Sequence, residues 1–178
     1  MSSWFSILNT GRPVFAVGSS DSHSLKGSPV GYPRTCIDLG TDDPRQVTGD
    51  LVRDRLAAGH ATVSGGVYVD AAVGTARPGD TIAGGASADV AIQVQAASWL
   101  DVTTLEVVVD GETVATIPIT AADADPTNPA LRWQDVVTVD VAASGSWVVV
   151  AAYGDDDMSP VHPGRDAFGV TNPIFLTR

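Results

Sequence analysis

Asp21-Ser22-His23 sets a carboxylate and an imidazole two residues apart, directly after the short apolar run Val14 to Val17. On an extended backbone residues i and i+2 share a face, so both side chains can address one ion. Carboxylate plus imidazole suits Zn, Mn or Fe(II). A structural Asp-His hydrogen bond at a turn fits the same triplet, and by chance alone it is the commoner outcome.

The residues downstream extend the pattern. Gly27-Ser28-Pro29-Val30-Gly31-Tyr32-Pro33-Arg34-Thr35-Cys36-Ile37 is a Gly/Pro loop that runs into a fresh apolar strand start. The order Gly18-Ser19-Ser20-Asp21-Ser22-His23, loop, Gly31-Tyr32-Pro33-Arg34-Thr35 resembles the last metal motif of the PHP (polymerase and histidinol phosphatase) metallohydrolases, in particular the CehA/McbA-like, carbamate-hydrolase-type branch. Leu51 to Gly66 and Val170-Thr171-Asn172-Pro173-Ile174-Phe175 are similar to that branch as well, so the resemblance runs nearly end to end. In the family this motif closes a multinuclear site inside a seven-stranded, barrel-like α/β fold. The resemblance implies Asp21 and His23 as metal ligands, Arg34 as a contact to an anionic or carbonyl group, and a divalent Zn, Mn or Fe ion in the completed enzyme.

The family's other ligands, an N-terminal His-x-His pair and further His, Glu and Asp residues, have no counterpart upstream of residue 14, and the remaining histidines are His60 and His162. The chain is therefore expected to be the C-terminal portion of such an enzyme. Alone it should have no catalytic residue set, and metal should be absent or weakly held. Its expected partner is the missing N-terminal PHP segment or a companion subunit. The competing expectation is a non-catalytic β-sandwich that binds or scaffolds a partner or glycan, with the triplet a relic or a structural pair.

Local signals divide the chain into elements. Ser3 can cap a helix from Trp4 to about Asn9, with Gly11 as its stop and Pro13 beyond. Val14 to Val17 then reads as a strand of a sheet buried on both faces, which needs neighbours. Thr48 is an N-cap before a helix of about ten residues that Gly59 ends, near the usual globular length. Residues 1–64 are thus expected as the remnant of a PHP-type α/β barrel. From His60 onward the period is two, with strands expected at 60–64, 67–73, 89–96, 103–110, 113–119, 134–141, 146–153 and 174–177. Asp110-Gly111 between two apolar runs signals a tight type I′ hairpin, and Pro118 marks its second strand as an edge or an end. Residues 65–178 are expected as an accessory, immunoglobulin-like β-sandwich, which makes the chain mainly β. The orphaned strand and the one opening at Thr35 are expected to pair with a second copy, giving a homo-oligomer, or to pack on the sandwich.

Other residues have plainer readings. Trp99, Trp133 and Trp147 suit a sandwich core or rim, with a carbohydrate platform as the alternative. Asp123-Ala124-Asp125 and Asp155-Asp156-Asp157 read as solvated turns, since neither matches a Ca²⁺ loop. Cys36, the single cysteine, reads as a small buried hydrophobe. His60 is expected between helix and sandwich. His162 lies in an expected loop, Met158 to Ala167, from which it could fold back toward the metal motif and meet substrate. With 10 basic and 21 acidic residues, net charge -11, the chain lacks a basic footprint for nucleic acid or an anionic membrane. The N-terminal stretch carries no signal-peptide pattern and no membrane span.

Overall fold

In a computed structural model, residues 2–24 and 30–178 are described. Their elements in chain order are helix α1 (Ser2–Leu8), strand β1 (Arg34–Ile37), helix α2 (Gly49–Ala57), and strands β2 (Ala61–Gly65), β3 (Val67–Val73), β4 (Thr81–Ala83), β5 (Ser87–Ala96), β6 (Thr104–Val109), β7 (Glu112–Pro118), β8 (Leu131–Asp140), β9 (Ser146–Met158), β10 (His162–Thr171) and β11 (Ile174–Thr177). The chain is mainly β, and every strand pair but β11 with β4 is antiparallel. Among the described residues no helix is long and apolar enough to cross a membrane.

Alternation along the strands decides which side chains go inside. In β5 the even-numbered residues from Ala88 to Ala96 are buried, whereas the odd-numbered ones stay exposed or half-buried. β3 and β8 flank β5 to make a three-stranded sheet. The larger sheet runs β1-β2-β10-β9, with β6 and then β7 on the other edge of β9, and β11 and β4 beside its first residues. The inner faces of both sheets meet in one core that includes Val67, Val90, Ile92, Leu105, Val107, Val148 and Ile174, a sandwich-like arrangement.

Several sequence expectations meet their physical cause here. Thr48 Oγ1 accepts from the Leu51 N–H at 3.1 Å and caps α2. Asp110 and Gly111 take φ of 52° and 94°, the left-handed pair that a two-residue hairpin between β6 and β7 requires. Trp133 is buried in the core and Trp147 beneath α1, while Trp99 is exposed on a connection. Asp123 and Asp125 serve turns, whereas Asp155-Asp156-Asp157, expected as a turn, is an exposed part of β9. Hydrogen bonds from Thr120, Thr127 and Ser159, with backbone N–H groups, hold the Asp123, Asp125 and Asp157 carboxyls below their ordinary pKa.

Two differences concern the first third of the chain and the last hairpin. Among the described residues, 14–17 join no ladder, and β1 and β2 instead continue the same sheet as β10 and β9. The stretch expected as a loop around His162 is the start of β10, paired with β9 through two register shifts. The bulges break the alternation that would have signalled a strand.

Candidate metal centre

The stretch that leads into Asp-x-His is held by side chains instead of strand neighbours. Trp4 Nε1 donates to the Val14 carbonyl at 2.7 Å. Ala16 donates its N–H to Asn172 Oδ1 at 2.7 Å, and Asn172 Nδ2 donates back to the Ala16 carbonyl at 3.2 Å. Two residues on, Gly18 donates to Thr35 Oγ1 at 2.8 Å and its carbonyl accepts from the same hydroxyl at 2.8 Å. An amide and a hydroxyl thus replace the backbone groups of a neighbouring strand. Gly18 must lack a side chain, because a Cβ there would stand 2.7 Å from the Arg34 carbonyl oxygen and 2.8 Å from Val63 Cγ1.

Beyond this clamp the chain reaches the surface. Asp21 and His23 are both exposed. Asp21 has φ of 46°, so the backbone turns at the triplet and the same-face rule of an extended strand does not apply to it. The Gly27 to Pro29 part of the motif lies outside the described residues. Among the described residues no three His, Cys, Asp or Glu side chains gather as a group able to hold a metal ion.

The motif resumes at Gly31, and Tyr32 anchors this second half to the start of β10. Its hydroxyl donates to the Asp166 carbonyl at 2.7 Å, and its ring meets Phe168 edge-on at 5.8 Å and His162 at 5.4 Å. The Arg165 guanidinium lies 5.7 Å above the same ring. Burial pushes the Tyr32 phenol above its ordinary pKa, with the Asp166 carboxylate adding and Arg165 opposing. His162 is 6% exposed, and its Nδ1 is buried without a hydrogen-bond partner among the described residues. Arg34, exposed, donates to the Gly31 carbonyl at 3.3 Å. His162 therefore meets the Gly31 to Arg34 turn through Tyr32.

No known family model, curated protein or solved structure matches this chain. Its own geometry carries the reading. Thr35 and Asn172 both lie in segments singled out in the sequence, yet their clamping role left no trace there, because a hydroxyl or amide can serve many partners. Arg165 carried no pattern at all. His60 is half-buried between α2 and the sandwich, its Nδ1 2.9 Å from the Pro78 carbonyl. That oxygen can only accept, so Nδ1 carries the proton.

Proposed function

We propose that this chain supplies the closing Asp-x-His motif of a PHP-type metal-dependent hydrolase, acting on a phosphoester or a carbamate- or amide-like substrate, together with an accessory, immunoglobulin-like sandwich. The observation that supports this best is the clamp. Two segments far apart along the chain, at Thr35 and Asn172, converge on the Ala16 to Gly18 backbone that leads into Asp21 and His23. A loop with no positioning task does not need such a frame.

The donor set fits a metal in part. Asp21 and His23 offer one oxygen and one nitrogen ligand, whereas a catalytic site takes three or more protein ligands, so the others come from a further segment or a companion subunit. When bound, the ion supplies an activated water and a Lewis acid for a phosphoryl or carbonyl oxygen. This chain's own part is to fix the two donors through Gly18 and to present Arg34 toward the charge of the substrate. His162, packed on Tyr32, fixes the turn that carries Arg34.

Turnover tests this reading. The chain alone should leave phosphomonoester, phosphodiester and carbamate substrates at background with Zn, Mn or Fe(II) present. Metal-dependent turnover by the chain alone that His23→Ala abolishes would overturn the need for outside ligands.

A further inference from the structure

The outer face of the three-stranded sheet carries a polar groove that the metal motif does not use. Alternation points Tyr68 and Asp70 of β3 away from the core, and register places Asp70 opposite Gln93 and Gln93 opposite Gln134, a polar row across all three strands. Two hollows meet there. One, of about 210 Å³, lies at the seam with β1 and β2 and is lined by Cys36, Asp38, His60 and Tyr68; the other, of about 350 Å³, runs over Gln93 and Gln134 toward edge strand β8. Asp70 and Arg77 line both, joined by a 2.6 Å ion pair.

The groove's polar groups are largely unspent. The Tyr68 hydroxyl and the Gln93 and Gln134 amides make no hydrogen bond among the described residues. Burial pushes the Tyr68 phenol above its ordinary pKa, with Asp70, Cys36 and Asp38 adding, so the hydroxyl stays protonated and can both donate and accept. Three carboxylates line the two hollows, and two already have a guanidinium: Asp70 that of Arg77, Asp38 that of Arg55 at 3.3 Å, while Asp135 accepts from the Val136 N–H at 2.8 Å. What remains is a set of planar two-point groups, amides and a paired guanidinium and carboxylate, beside one half-exposed aromatic ring, that of Tyr68. Two-point planar groups match vicinal hydroxyls, and an aromatic face matches the C–H face of a pyranose ring. A cationic ligand finds a single carboxylate here, Asp135, because the other two acids are neutralised.

We propose that this groove binds a neutral oligosaccharide, with Tyr68 as the stacking platform and Asp70, Arg77, Gln93 and Gln134 as the hydroxyl-reading groups. The site is independent of Asp21 and His23 and stands whether or not the hydrolase reading does. Calorimetric titration of the whole chain with cellopentaose, xylopentaose, maltopentaose and mannopentaose tests it, with spermidine as the cationic probe. At least one pentasaccharide should bind, weakened about tenfold or more by Tyr68→Ala and separately by Gln134→Ala, each at a surface position the fold tolerates. Trp99→Ala and His23→Ala should leave it unchanged. The proposal is overturned if no pentasaccharide binds at millimolar concentration, if binding persists in both groove variants, if Trp99→Ala abolishes it, or if spermidine alone binds in a Tyr68-dependent way.

Discussion

Gly18 is where a single atom decides whether the metal motif can sit where it does. The Arg34 carbonyl that a Cβ would strike belongs to β1, which is fixed by its pairing with β2, so the glycine cannot be replaced by a side-chain shift alone. Gly18→Ala should cost about 1–3 kcal/mol in urea unfolding and displace the Asp21 to His23 loop, seen as shifts in the His23 ring resonances. Unchanged stability and unchanged shifts would mean the contact relaxes freely. The three tyrosines make a second prediction at this scale. Burial is the first cause of a raised pKa at Tyr32, Tyr68 and Tyr153, with Asp166, Asp70 and Glu106 respectively the next. The folded phenols hold their protons more tightly than the unfolded ones. Their contribution to stability is therefore full below the ordinary value of 10.0 and is lost as pH rises through the folded values. Absorbance at alkaline pH should show no tyrosine titrating at or below its ordinary value in the folded chain.

The segment from Val14 to Gly18 shows how an element can look like a strand and be something else. Its apolar residues suit an extended backbone, but its partners are the Asn172 amide and the Thr35 hydroxyl. Sequence periodicity reports the side chains of a segment and says nothing of what its backbone bonds to. That is why β3, β11 and the turn at Asp110-Gly111 were legible to the residue, and the strands of that hairpin to within one, each being a local pattern, whereas the clamp was not. β10 was missed for a related reason, since its bulged His162 to Asp166 stretch has no alternation to read. At the site, the types and spacing of Asp21 and His23 were visible in the sequence, but the left-handed turn at Asp21 was not. Asn172→Ala should cost about 1–3 kcal/mol, because it leaves the Ala16 N–H and carbonyl without partners, and should speed amide exchange at Ala16 while β5 and β9 stay protected. Equal exchange at Ala16 in both proteins would show that the amide is not what holds the segment.

Across the whole molecule, β1 and β2 do not stand apart from the sandwich, since β2 pairs with β10 and β10 with β9. The first strands of the chain and the sandwich should accordingly unfold in one urea transition followed at Trp147 and at the β1 amides together. An earlier loss of β1 protection would mark the first sixty residues as a separate unit. The hydrolase proposal rests on Asp21 and His23 being donors presented for a site that other residues complete. Manganese(II) titrated into the dialysed chain, with amide resonances followed residue by residue, tests that most directly. Broadening should centre on Asp21 and His23, reverse with a chelator and disappear in both Asp21→Ala and His23→Ala. Stoichiometric metal that survives dialysis, or broadening that ignores both substitutions, would contradict it.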